Sequence, residues 1–254
     1  MKRIAILFLS LLMIVSLKSV GQTTIPLPNS SFENWSTGNG YSVSVFFLSL
    51  PVYDSYTYPT DWNFPTYPVN EDLTYSGMSV NVNTDLPLLK VMDVTTNVPN
   101  GSHAIGLQSF MVSDIINSTV YNLAASSFDS AIVSSVFPTV LSTGSVNVDN
   151  LMPMVGDITS QYDSLSSPLT FFVGRDLDSL IDGGIALNGA VPGRLTGYYQ
   201  YTSAIGGDRG GVMMLGSRYN PETQRREVVG GGYTTDLTDV DNFTSFEVPY
   251  TPLS

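Results

Sequence analysis

Runs of Val, Ile, Thr, Tyr and Phe only a few residues long, cut apart by Gly, Pro, Asn and Asp, limit this chain more than any other feature. β-branched and aromatic side chains fit the extended backbone of a pleated surface, whereas the residues between the runs favour turns. Long helices draw on Glu, Lys, Arg, Leu and Ala. Only 13% of this chain is charged, and it carries 22 glycines and 15 prolines. The pattern predicts an all-β, antiparallel fold with many short strands, long loops and at most one short helix.

Strands are predicted at residues 41–50, 88–94, 103–112, 169–173 and 243–249. The third of these follows Pro99-Asn100-Gly101, a strong turn signal. Residues 194–233 read as a three-stranded meander. Its first turn falls at the glycine-rich run 206–211 and its second at Asn220-Pro221-Glu222-Thr223. The run 206–211 lacks the Gly-Lys-Ser/Thr ending of a phosphate loop and reads as a hairpin tip. Gly230-Gly231-Gly232 signals close backbone packing or a bulge. Residues 123–136 read as the short helix, capped by Asn122. Residues 132–141 also fit a strand interrupted at Pro138. No repeat, heptad pattern or linker marks a second domain, so residues 22–254 are expected to form one.

The N-terminus has a basic start, Lys2-Arg3, followed by an apolar run from Ile4 to Leu17, shorter than the roughly 20 apolar residues of a spanning helix. With small residues at Ser19 and Gly21, residues 1–21 read as a signal peptide cleaved before Gln22. Export to the periplasm, cell surface or extracellular space is the expectation. Loss of Lys2, Arg3 and Lys18 leaves seven basic against 22 acidic residues, a formal charge of −15 in place of −12. Such a surface disfavours nucleic acid and anionic lipid as partners. No later apolar stretch is long enough to be a transmembrane segment. The absence of cysteine excludes disulfides, thiolate chemistry and Cys-ligated metals.

Four segments carry a family resemblance. Asn29-Ser30-Ser31-Phe32-Glu33-Asn34-Trp35 resembles the "N-x-x-F-E-x-W" opening of jelly-roll carbohydrate-binding domains. Pro59-Thr60-Asp61-Trp62 resembles the "P-x-x-W" that follows, and Gly101-Ser102-His103-Ala104-Ile105-Gly106-Leu107 resembles a "G-S-x-A-x-x-L" strand. Pro192-Gly193-Arg194-Leu195-Thr196-Gly197-Tyr198-Tyr199-Gln200-Tyr201 is similar to "P-x-x-L-x-G-Y-Y-K-Y". In this order, over about residues 25–250, they resemble the bacterial PCMD carbohydrate-metabolism domain family. The resemblance implies a jelly-roll β-sandwich and a polysaccharide or glycan partner. It also implies a structural calcium held with help from Asn29 and Glu33, a hard cation suited to their oxygens. The family pattern continues beyond residues 243–249 into a small-residue and acidic strand. The expectation is therefore that the chain stops at Ser254 short of its final strand.

The candidate ligand surface is aromatic. Tyr53, Tyr56, Tyr58, Trp62, Phe64 and Tyr67 crowd one proline-rich segment, expected as a long loop or edge, beside Asp54, Asp61, Asn63 and Asn70. Sugar C–H faces stack on rings while their hydroxyls bind amides and carboxylates; the competing role for each ring is to cap the core. Tyr198, Gln200 and Arg218 form a second candidate group, since strand alternation places Tyr198 and Gln200 on one face. Two carboxylate pairs, Asp176 with Asp178 and Asp239 with Asp241, have the composition of a glycosidase pair and equally of turn residues. His103 is the sole histidine and reads as a strand residue, not a triad base. The leading function is non-catalytic glycan binding, with no catalytic residue assigned. The alternatives are a glycoside hydrolase and a structural or adhesive cell-surface domain.

Overall fold

The computed structural model describes residues 24–45, 48–75, 77–124, 136–137, 139–147, 150, 172–203 and 210–253. The expected signal peptide and its cleavage bond lie outside these residues, as do residues 125–135 of the expected helix, residues 169–171 of an expected strand and most of the 206–211 tip.

The described chain is mostly strand, and all of its ladders are antiparallel. β1 (Trp35–Gly38) pairs with β4 (Tyr56–Pro59), and β2 (Tyr41–Val45) with β3 (Leu48–Tyr53). β5 (Thr66–Tyr75) pairs with β6 (Met78–Pro87), and β7 (Val91–Val94) with β8 (Ala104–Leu107). β9 (Phe110–Met111) meets β10 (Val136–Phe137), and β11 (Gly144–Val146) meets β12 (Ile181–Gly183). β13 (Arg194–Tyr201) pairs with β16 (Val240–Pro249), while β15 (Arg225–Leu237) lies between β14 (Gly210–Asn220) and β17 (Thr251–Pro252).

Several expected elements change form. The 41–50 run is not one strand but the β2–β3 hairpin. The 88–94 strand starts only at Val91, because Leu88 and Leu89 are buried and the Leu88 amide donates to Pro65 O at 2.9 Å. The 103–112 strand breaks into β8 and β9, with the Gln108 amide turned to Lys90 O at 3.0 Å. Phe172 and Val173 sit in a turn, not a strand. Of the meander, only the β14–β15 hairpin forms; β13 leaves it to pair with β16. Gly197 stands opposite Phe246, whose ring covers the space a Cβ would fill. Leu195 stands opposite the fully buried Val248. Those apolar cross-strand matches favour the distant partner over the near one.

The helix α1 (Ser118–Ala124) also starts earlier than expected. Its cap is Asn117, whose Oδ1 accepts from the Thr119 amide at 3.0 Å, so Asn122 lies within the helix. The proline-rich segment is part strand and part loop: Tyr53, Tyr56, Tyr58 and Tyr67 fall in β3, β4 and β5, while residues 54–55 and 60–65, with Trp62 and Phe64, connect them. Pro51, Pro59 and Pro68 belong to ladders of two strands, where a missing N–H is tolerated on the open side, so the edge reading holds.

The main core gathers Val43, Val52, Val69, Leu73, Val82, Leu86, Leu88, Phe110, Val112, Ile116 and Val120 from β2 to α1. On β5 the inward Val69 and Leu73 alternate with the exposed Asn70 and Asp72, the period-2 signature of a sheet with one wet face. A second, smaller cluster of Phe172, Leu177 and Leu180 packs against Ile181, Leu215 and Val228.

Candidate functional site

β4 points Tyr56 and Tyr58 to one side, and Phe64 meets both edge-on with ring centroids 5.7 and 5.2 Å away. Tyr56 and Tyr58 are themselves 6.0 Å apart. These three rings are half-buried and lie outside both core clusters. Tyr56 rests on Gly38, its register partner on β1, where any Cβ would meet the ring. Burial, followed by the neighbouring Tyr53 and Tyr58 hydroxyls, raises the Tyr56 phenol above its ordinary pKa.

The other expected aromatics have different settings, although the Tyr53 ring lies 6.4 Å from that of Tyr56. Tyr53 stacks on Tyr41 at 6.2 Å and both pack on the main core. The Tyr53 hydroxyl lies 3.2 Å from Thr84 Oγ1 and donates to Asp85 O at 3.3 Å. Tyr67 also packs on that core. Trp62 leaves the tyrosines to pack on Phe32 at 5.5 Å, with its indole N–H buried. Of the polar residues near the rings, Asp54 and Asp61 are exposed. Asn63 bridges to Ser142 through the backbone, and Asn70 accepts from Asn81 at 3.1 Å.

Three of the four motif segments converge at one junction. Asn29, at φ 43°, donates from Nδ2 to Asn34 O at 2.7 Å and to Thr60 O at 2.9 Å, and accepts the Asn34 amide on Oδ1 at 3.1 Å. The Thr60 amide returns a bond to Asn34 O at 2.9 Å. The Trp35 indole donates to Phe32 O at 2.8 Å. Glu33 Oε1 accepts the amides of Ser102 at 2.6 Å and His103 at 3.2 Å. Asn29 Oδ1 and Glu33 Oε1 are thus turn-builders that accept backbone amides, while Glu33 Oε2 faces the His103 ring. Calcium gathers six to eight oxygens. Among the described residues no three His, Cys, Asp or Glu side chains converge on a metal position. The pair therefore does not fit a calcium cage.

His103 stands between two carboxylates. Its Nδ1 lies 2.8 and 3.0 Å from the Asp93 oxygens, and its Nε2 lies 3.9 Å from Glu33 Oε2. The bond to Asp93 is the main cause that raises the imidazole pKa; burial opposes it, and the charges of Asp93 and Glu33 add smaller upward contributions. Asp93 is on β7, and His103 immediately precedes β8, the pair of strands it helps to join.

Tyr198 and Gln200 share the exposed face of β13, as alternation requires. Gln200 Nε2 is occupied, donating to Asp241 O at 2.7 Å, while Tyr198 is half exposed. Arg218 does not join them. It lies on β14 opposite Glu227, in the other ladder, because β13 pairs with β16. The hydroxyl of Thr223 and the amide of Asn220, with Arg218 and Arg225 nearby, hold the Glu227 pKa down.

The acid pairs are divided in role. Asp176 caps a short 3₁₀ turn through the Asp178 amide, while Asp178 pairs with Arg226 Nε at 2.7 Å. Asp239 holds Ser203 through both its amide and its hydroxyl, and Asp241 receives Gln200 on its backbone oxygen. Neither pair presents two carboxylates to one space. An open cleft of about 300 Å³ does, lined by Thr66, Pro68, Asp85, Ser145, Asn147, Asp178 and Asp182 among others. Arg226 anchors its Asp178 side and also donates to Ile181 O and Gly183 O. Sequence reading missed Asp85, Asn147 and Asp182, because they come from three distant segments with no shared motif. No family model matches this chain, no curated protein matches it, and no solved structure matches its fold.

Proposed function

We propose that the exported domain binds a polysaccharide on the rings of Tyr56, Tyr58 and Phe64 and does not cleave it. The carrying observation is that these rings stay partly exposed outside both core clusters, although they touch one another. A group needed only to fill the core would be packed into it; a partly open ring cluster offers the apolar plane that a sugar C–H face requires. The PCMD resemblance supplies the substrate class and the jelly-roll arrangement of the antiparallel ladders. The acidic surface favours a neutral or basic glycan over an anionic one.

The cleft favours a second reading, a glycoside hydrolase. Asp85, Asp178 and Asp182 line one open space, and glycosidases work with two carboxylates across a bond. A glycan-retention panel run beside a reducing-sugar assay separates the readings. Retention that Tyr58→Ala weakens, with no sugar released, supports binding. Sugar release abolished by Asp182→Asn overturns it in favour of the enzyme. Absence of both retention and release across the panel overturns both.

A further inference from the structure

The junction of the motif segments does by other means what the resemblance assigns to calcium. Glu33 lies in the segment before β1, and its carboxylate reaches 69 residues along the chain to the turn before β8. There one oxygen takes two consecutive amides, while the other faces the His103 ring at 3.9 Å. The ring is fixed from its far side by Asp93 of β7 at 2.8 Å. Gly101 makes the approach possible in two ways. Its φ of +74° turns the chain so that the next two amides point the same way, and a Cβ there would collide with Glu33 Oε1.

The direction of these bonds argues against a cation. The Ser102 and His103 amides aim their positive hydrogens at Glu33 Oε1, and the Asn34 amide does the same to Asn29 Oδ1. A cation bound at either oxygen would face that N–H dipole, and among the described residues no three His, Cys, Asp or Glu side chains converge to hold one. A carboxylate receiving two amides and flanked by an imidazole is instead satisfied without metal, and charge-assisted bonds of this kind are the stronger ones.

We infer that Glu33, with His103 and Asp93, forms a metal-free clamp that docks the segment before β1 onto the β7–β8 pair. Glu33 is a positioning residue in this arrangement: it fixes where Phe32 and Trp35 enter the fold. The clamp predicts that the segment holds without calcium and depends on the carboxylate.

Melting the purified chain in millimolar calcium chloride and in EDTA tests this. The parent should melt at one temperature in both. Glu33→Gln should melt several degrees lower in both, and the segment around residues 24–34 should be cut faster by a protease. In a double-mutant cycle, Glu33→Gln and His103→Gln should cost less together than the sum of their separate losses. A calcium-dependent rise in melting temperature that Glu33→Gln removes would overturn the clamp and restore the metal site. So would a Glu33→Gln chain as stable and as protease-resistant as the parent, by showing that nothing is clamped. If Glu33→Gln does not fold, the amide resonances of Ser102 and His103 in the parent decide. They should stay in place on adding calcium, and a saturable shift of both overturns the proposal.

Discussion

The β2-to-α1 half and the β13-to-β17 half of the molecule solve the same problem with different side chains. The first buries eleven Val, Leu, Ile and Phe residues as one cluster, and its stability rests on side-chain volume. The second buries glycine. Gly230, Gly231 and Gly232 of β15 are buried, and a Cβ at Gly216 or Gly230 would strike the Tyr250 ring. Here backbone and one tyrosine approach where side chains would otherwise stand. The difference teaches that volume must be removed to break the first region and added to break the second.

The largest expected effect comes from removing volume. Phe110 is 1% exposed and stacks on Phe137 at 6.0 Å. Phe110→Ala should cost about 3–5 kcal/mol in denaturant unfolding. A loss well under 1 kcal/mol would mean that the larger cluster is not the stabilising core. Adding volume comes next. Gly216→Ala should cost about 1–3 kcal/mol because the nearest atoms its new methyl meets belong to the Tyr250 side chain. Gly232→Ala should cost more, because its nearest neighbour is the backbone oxygen of Pro249. The background Tyr250→Ala sharpens the contrast: it should relieve Gly216→Ala and leave Gly232→Ala as damaging as before. Equal relief of both would show that Tyr250, not backbone approach, limits the region.

The same contrast explains how much was legible in the sequence. Local signals worked. Asn220-Pro221-Glu222-Thr223 marks the turn between β14 and β15, and the glycine triplet marks close packing. Alternation placed Tyr198 and Gln200 together. Pairing choices were not legible, because Gly197 against Phe246 and Leu195 against Val248 are matches between segments about 50 residues apart. The split of 41–50 into β2 and β3 was not legible, because no Gly, Pro, Asn or Asp interrupts that run. The aromatic cluster was legible as a composition and not as a site. Only the packing divides Tyr53 and Tyr67, which serve the core, from Tyr56, Tyr58 and Phe64, which do not. The resemblance at Asn29 and Glu33 implied calcium, and no motif could show that one oxygen of each accepts backbone amides.

Surface rings give a smaller and more specific contrast. Tyr58→Ala should weaken glycan retention by about tenfold, the order of one well-placed contact, with little change in melting temperature. Tyr198→Ala, on the open face of β13, should leave retention unchanged. Tyr56→Ala is a poorer probe, since the ring rests on Gly38 and its loss affects the β1–β4 ladder. Affinity electrophoresis on a retained polysaccharide measures all three. A larger loss with Tyr198→Ala than with Tyr58→Ala would move the binding surface to the second half.

The smallest expected effect is on pH dependence, where His103 of the first half and Glu227 of the second should respond in opposite windows. In the first half His103 has a raised pKa, chiefly through its bond to Asp93. The folded state therefore holds this proton more tightly than the unfolded chain. Its stabilisation is complete below the ordinary histidine value, near 6.5, and fades as pH rises through the raised folded value. In the second half Glu227 has a lowered pKa, chiefly through the Thr223 hydroxyl and then the Asn220 amide. Its contribution is complete above the ordinary glutamate value, near 4.5, and is lost as pH falls through the lowered folded value. Asp114, lowered by the Met111 amide, adds to the acid window from the first half. Melting curves of the parent, His103→Gln and Glu227→Gln across this range read the two windows separately. The gap between parent and His103→Gln should narrow as the solution is taken from mildly acidic to mildly alkaline, while the gap for Glu227→Gln holds there and closes only in acid. Both sites are open to solvent, so the shifts should be small and should shrink further with added salt. A His103→Gln gap that is constant from acid to alkali would mean that the imidazole is held by geometry alone and that its charge contributes nothing to joining β7 and β8.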